Sequence, residues 1–284
     1  MKHIKRFEAD SGSKFLLWTE RTKMGEHEVL KFNDPGALTN STFNPRHPTR
    51  ILIHGWLSDW TSDAVEGLAK AYVTRGSYNV IGVDWSAGAG TLFYPLARVR
   101  VTDVAKNLAK QISLFLRAGQ QPSQIVLIGH SLGAHIAGLT GKHFQTRPKL
   151  AAVVALDPAG PLFDGTDPSG RVDRLDAEYV EVIHTNMGWL GHQDTLGQAD
   201  FFPNGGHSQT GCTTNSCDHQ RAIEYYRKSL ESETPLYIGR RCETECANDK
   251  CDGVPAVMAS DPDDKFKVKR SGMFYLSITD KDFV

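Results

Sequence analysis

Five short, β-branched-rich runs alternate with helix-period segments through the middle of the chain, and this alternation constrains the fold more than any other feature. The runs are RILIHG (50–55), NVIGVDW (79–85), QIVLIGH (124–130), AAVVALD (151–157) and YVEVIHT (179–185), each ending in polar residues. They read as buried strands. Between them, Val65, Leu68, Ala69, Tyr72 and Val73 recur at helical spacing, as do Val101, Val104, Ala105, Leu108, Ile112, Phe115 and Leu116. Segments 132–144 and 218–230 supply two further helices. Strands that alternate with helices need crossover connections, so a mostly parallel sheet covered by helices on both faces is expected.

In such a sheet the chemistry collects at the carboxyl ends of the strands. There the chain carries Gly129-His130-Ser131-Leu132-Gly133, directly after the strand IVLI and at the start of a helix. That is the context a G-x-S-x-G nucleophile elbow requires. The glycines let the strand reverse sharply, which leaves Ser131 in a strained conformation costing roughly 1 to 3 kcal/mol and its hydroxyl exposed. The other reading of the motif is a turn in which Ser131 only caps the helix. A serine hydroxyl needs a histidine base, and the base needs an acid to hold its tautomer. Asp84 and Asp157 both end strands, and His54, His184, His192, His207 and His219 are all possible bases. The α/β-hydrolase order of serine, acid, histidine removes Asp84 and His54 and makes Asp157 the natural acid. It does not choose among the four remaining histidines. A histidine base must be neutral, so activity is expected to fall toward acid pH.

Composition adds exclusions. With 284 residues, a formal net charge of -1 and 40% hydrophobic residues, the chain reads as a soluble globular protein, expected to be one domain over 1–284. It gives no electrostatic reason to expect nucleic acid, and no apolar run exceeds 150–156, far below a membrane span. The opening MKHIKRFEAD lacks an apolar core, so it does not read as a signal peptide, and Met1 is expected to start a mature or recombinant form. The five cysteines, Cys212, Cys217, Cys242, Cys246 and Cys251, all lie in the last quarter. They suggest local disulfides formed in an oxidising compartment, with one cysteine left over. A zinc site is the weaker reading, because no CxxC pair is present. A Cys212–Cys217 bond would contribute only about 2 kcal/mol and would serve mainly to fix local shape. Asn40-Ser41-Thr42 is a glycosylation acceptor that fits secretion.

The motifs ILIHGW, VDWSAG, IGHSLGAHIAG, ALDPAGP, EVIHTN, ADFFPNGG and GCTTNSCDHQRA, in this order over about residues 15 to 280, resemble the pancreatic lipase family, including its secreted phospholipase A1 branch. The resemblance implies an α/β-hydrolase fold with Ser131 as nucleophile, Asp157 as acid and His219 as base. It implies an oxyanion hole from the amides of Trp56 and Leu132, and structural roles for His54, His130 and His184. It favours a Cys242–Cys251 bond, with Cys246 free or paired elsewhere. It makes the loop between Cys212 and Cys217 the family's lid, here reduced to Thr213, Thr214, Asn215 and Ser216, too few for an amphipathic helix. The second covering segment, 187–196, also looks short, and Trp189 and Leu190 on it could dock on a lipid aggregate or pack on the core. Two short covers imply an open cleft suited to a polar head group. The reading is therefore a secreted phospholipase A1 acting peripherally on phospholipid aggregates or membranes. The alternatives are a triacylglycerol lipase or galactolipase, and more remotely a non-catalytic lipid-binding or yolk-type protein, against which the retained triad argues. An end at Val284 leaves no room for the family's carboxyl-terminal β-sandwich, so no colipase-type partner is expected. Arg171, Asp173 and Asp176 match a calcium position of some relatives, but such loops are usually just solvated; no metal and no cofactor are expected.

Overall fold

A strand covered on both faces must be apolar at consecutive positions, because successive side chains point to opposite layers. The computed structural model describes residues 7–22, 25–146, 148–243, 251–265 and 267–279. Its strands, in chain order, are β1 (Lys14–Trp18), β2 (Glu28–Leu30), β3 (Thr49–Ile53), β4 (Asn79–Asp84), β5 (Ile125–His130), β6 (Ala152–Leu156), β7 (Tyr179–Ile183), β8 (Ala199–Pro203), β9 (Tyr237–Cys242), β10 (Pro255–Met258) and β11 (Gly272–Leu276). The helices are α1 (Ala9–Gly12), α2 (Pro35–Thr39), α3 (Leu68–Arg75), α4 (Ser86–Ala89), α5 (Tyr94–Arg117), α6 (Leu132–Lys142) and α7 (Asn215–Glu231). The five runs read from the sequence are β3 to β7, each within two residues of the expected ends.

The strands form one sheet in the order β10-β9-β11-β8-β7-β6-β5-β3-β4-β1-β2. The centre, from β4 through β8 to β11, is parallel; β1, β2, β9 and β10 pair antiparallel at the two edges. Alternation along each strand sorts the core into two layers. Ile51, Ile53 and Leu127 pack with Val101, Leu108 and Phe115 of α5 and Ile136 of α6. Leu52, Val126 and Ile128 pack with Leu68 and Tyr72 of α3 and Tyr226 of α7. The register places Ile53 beside Gly129, and Gly129 beside Ala155. The carboxyl ends of β3, β5 and β6 are therefore level, which brings residues 54–56, 131 and 157 to one edge.

One helix start differs from the expectation, and one loop is held by a partner distant in sequence. Helix α7 starts at Asn215, three residues before the predicted 218, because Thr214 caps it by accepting the Cys217 N–H at 3.2 Å. The Asp-rich stretch 261–264, which resembles a plain loop in sequence, is clamped to the sheet. Arg50, fully buried at the start of β3, donates to both carboxylate oxygens of Asp261 at 2.7 and 2.8 Å and to Asp263 at 2.7 Å. Arg75 on α3 pairs with Asp264.

Candidate active site

Only one residue, Ser131, separates β5 from α6. It stands at φ 57°, ψ -121°, and the flanking chain leaves room for nothing but glycine. A Cβ at Gly129 would lie 2.1 Å from the Gly133 carbonyl oxygen, and one at Gly133 would lie 2.2 Å from that of Ile53. The turn is held by the Ser131 N–H donating to Leu156 at 3.1 Å. Leu132 is the first residue of α6, so its N–H belongs to the helix-end donors that have no partner within the helix. Gly55 presses on the serine from β3's side, where an added Cβ would meet Ser131 Cβ at 2.8 Å. Next to it, the Trp56 indole donates to the Thr91 carbonyl at 2.7 Å.

Asp157 follows β6 and is completely buried. Its Oδ1 accepts the N–H groups of Thr185 at 2.7 Å and Asn186 at 3.1 Å, and its Oδ2 lies 2.5 Å from Nδ1 of His219. A carboxylate on Nδ1 holds the proton there and leaves Nε2 as the free acceptor. His219 sits early in α7, and His130 fixes its backbone by donating from Nε2 to the His219 carbonyl at 3.0 Å. Burial, and then the neighbouring His219, push the His130 imidazole well below its usual range, so it is a neutral donor. Ser131, His130, His219, Gly55 and Trp56 line one cleft of about 470 Å³, with Leu57, Tyr94, Pro161 and Leu190 on its apolar side and Ser58, Ser216 and Gln220 supplying polar groups. A larger hollow of about 690 Å³, lined by Glu66, Lys70, Arg227 and Glu231 among others, has no histidine in its lining.

The remaining histidines have other partners. His54 accepts the Trp85 N–H at 3.1 Å and, through Nδ1, donates to Gly55 at 3.0 Å. Asp84 accepts the Ser86 N–H at 3.0 Å. His184 bonds to Asp200 at 2.9 Å and stacks on Phe202. His192 is buried and accepts the Asp194 N–H at 3.1 Å. His207 is exposed and bonds to the Met187 carbonyl at 3.1 Å. Sequence reasoning passed over His135, one turn after Ser131 on α6. Its Nε2 donates to the Ala159 carbonyl at 2.8 Å, and burial takes its pKa down to about 3, so the neutral ring props the chain beyond Asp157. The signal for it was its place four residues after the serine.

The covers are short. The Cys212–Cys217 disulfide closes over Thr213 to Ser216, of which Asn215 and Ser216 already belong to α7, so the bond spans the cap of the helix that carries His219. The Cys242–Cys251 bond ties β9 to the chain before β10; Cys246 lies outside the described residues. In the segment 187–196, Leu190 borders the cleft and Trp189 is 65% exposed, which decides against packing on the core. At the position compared with calcium sites, Lys142 pairs with Asp176 at 2.6 Å. Arg171 donates to the Val172 carbonyl at 2.9 Å, and Asp173 accepts the Leu175 N–H at 3.0 Å. Burial pushes the Asp176 carboxyl up to about 7 against the opposing pull of Lys142.

A mostly parallel sheet with a serine on a strand-to-helix turn at its carboxyl edge defines an α/β hydrolase. The chain belongs to the lipase family: the family model described as Lipase matches residues 1–282. Lipase member H of Mus musculus is 38% identical over 232 residues, covering 78% of this chain and 50% of that protein. Lipase member H of Danio rerio is 37% identical over 244 residues, 81% and 52% of the two chains. Pancreatic triacylglycerol lipase of Sus scrofa is 34% identical over 248 residues, 78% and 54%. The chain spans about half the length of these relatives. A crystal structure of a phospholipase/carboxylesterase from Dyadobacter fermentans DSM 18053 aligns with a TM-score of 0.41 at 12% identity, over 54% of this chain and 74% of that one.

Proposed function

We propose that the protein is an extracellular carboxylic ester hydrolase that cleaves the sn-1 acyl ester of phospholipids. The observation that carries the chemistry is the 2.5 Å contact between His219 Nδ1 and buried Asp157, at a cleft that Ser131 shares. His219 takes the Ser131 proton as the hydroxyl oxygen attacks the ester carbonyl. The amides of Leu132 and Trp56 stabilise the tetrahedral oxyanion, and the histidine returns the proton to the departing lysolipid oxygen. Water, deprotonated by the same histidine, then attacks the acyl-serine and releases the fatty acid. No step is routed through a metal or cofactor.

Phospholipid is favoured because four residues between Cys212 and Cys217 cannot roof the cleft, and the exposed Ser216 and Gln220 add polar groups to a lining that also holds Trp56 and Tyr94. Two disulfides support an extracellular setting. The likeness to pancreatic triacylglycerol lipase favours a second reading, hydrolysis of triacylglycerol. Mass analysis of products from a phosphatidylcholine with different chains at its two positions tests the first. Release of the sn-1 chain is expected, and release of the sn-2 chain alone would overturn it. A faster rate on emulsified triolein would establish the second.

A further inference from the structure

We propose that the short loop from Asn186 to His192 works as a seal on the catalytic acid, with Gly191 and Asn186 as positioning residues that hold the Asp157 carboxylate against His219. This deepens the proposed reaction and rests on Asp157 being its acid. The loop touches Asp157 more intimately than it touches the cleft. A Cβ at Gly191 would lie 2.5 Å from Oδ1, 2.7 Å from Oδ2 and 2.8 Å from Cγ of Asp157. The Gly191 φ does not fall in the left-handed region, and the three atoms nearest to an added carbon all belong to the Asp157 carboxylate.

The loop cannot recoil from such a clash, because it is stitched to the chain just after the acid. Gly160 N–H donates to the Leu190 carbonyl at 2.8 Å, His192 N–H to that of Pro158 at 2.7 Å, and Ala159 forms a β-bridge with Gly191. Asn186 locks the same loop from inside. Its own N–H is one of the two donors on Asp157 Oδ1, its carbonyl accepts the Gly191 N–H at 2.9 Å, and its side-chain oxygen accepts the Leu190 N–H at 3.0 Å. Its amide nitrogen reaches Asn215, the first residue of α7, at 3.3 Å. One buried residue thus holds the acid through its backbone N–H, and the seal and the start of the base's helix through its side chain. A bulkier residue at 191 would push the carboxylate off both its N–H donors and the imidazole, and a displacement near 1 Å costs about 10²-fold in such a unit.

The test is a double-mutant cycle on a soluble p-nitrophenyl ester, with unfolding curves as controls. Gly191→Ala is expected to lower kcat about 10²-fold with KM within about threefold, and to add less than about threefold to the loss caused by Asp157→Ala, whose shortened side chain leaves the new methyl nothing to strike. Full activity in Gly191→Ala, or an undiminished further loss in the Asp157→Ala background, would overturn the proposal. If Gly191→Ala does not fold, Asn186→Ala serves in the same cycle, with about a tenfold loss expected alone and none beside Asp157→Ala. Full activity in Asp157→Ala by itself would bring down the underlying reaction scheme and this inference with it. Loss in Asp157→Ala beside full activity in Gly191→Ala would bring down this inference only.

Discussion

Ser131 is held where few residues with a side chain go. At φ 57°, ψ -121° it lies outside the regions open to ordinary residues, a placement that costs roughly 1 to 3 kcal/mol. Glycine tolerates such angles, whereas alanine inherits the strain along with the missing hydroxyl. The two substitutions should therefore agree in activity and part in stability. Ser131→Ala and Ser131→Gly should both lower kcat by about 10⁶, as should His219→Ala, because members of such a unit fail together. Urea denaturation should find Ser131→Gly the more stable by about 1 kcal/mol, after allowing for the larger entropy that glycine loses on folding. A glycine variant less stable than the alanine variant would mean that the turn is unstrained.

The elements that sequence made legible are those whose burial is one-sided in kind. Ile51, Leu52 and Ile53, or Val153 and Val154, are apolar at consecutive positions because helices cover both faces, and no other short pattern gives that reading. Three of the outer strands carry no such pattern: β9 mixes buried and exposed positions, β2 has three residues, and β10 begins at a proline. Ser131 and Asp157, the proposed nucleophile and acid, could be read from strand ends. The proposed base could not, since four histidines satisfied the chain order and only the likeness to known lipases singled out His219. Gly191 and Asn186 stayed silent because their contacts to Asp157 run through backbone and empty space. The strap 261–264 stayed silent because its partner, Arg50, lies more than two hundred residues away. Removing the buried member leaves Arg50 only the half-exposed Asp263 as a counter-charge, so Asp261→Ala should destabilise the fold by about 3 kcal/mol in chemical denaturation. A loss below 1 kcal/mol would show the strap to be incidental. In the loop before β7, beside Lys142 at the end of α6, burial pushes the Asp176 carboxyl up to about 7 from an ordinary 3.8. Between about pH 4 and 7 the folded chain therefore keeps a proton that the unfolded chain has lost. Unfolding releases it, and this group makes stability fall as pH rises, by up to about 1.4 kcal/mol per pH unit. Asp176→Asn should remove that contribution. Identical stability slopes for the two proteins across this window would refute the shifted carboxyl.

For the whole molecule, the proposed function raises the question of how an ester anchored in a lipid layer would reach Ser131. No described helix is long and apolar enough to cross a membrane; under the proposed function, the rim of the cleft is the surface we expect to meet the lipid. Leu57, Leu92, Phe93, Leu162 and Trp189 come from four separate loops and are each at least half exposed; Leu57 lines the cleft, Leu92 and Phe93 stand between Thr91 and Tyr94, Leu162 follows Pro161 and Trp189 precedes Leu190. Large apolar side chains left in water at the mouth of a site for apolar chains are placed to enter the layer first. Burying one such side chain is worth about 1.5 kcal/mol or more, which is about tenfold in partitioning. Phe93→Asp and Trp189→Asp should therefore each weaken binding to phosphatidylcholine vesicles by about tenfold or more, measured by co-sedimentation, and should lower vesicle hydrolysis in step. Neither residue lines the cleft, so the rate on a soluble short-chain ester should stay within about twofold of the parent. The same reasoning removes any abrupt rise in rate when a short-chain phospholipid begins to aggregate, because no long cover has to open first. Equal losses on dissolved and vesicular substrate would place these side chains in catalysis or folding instead of docking, and a steep jump at aggregation would require a moving cover that the four residues between Cys212 and Cys217 cannot supply.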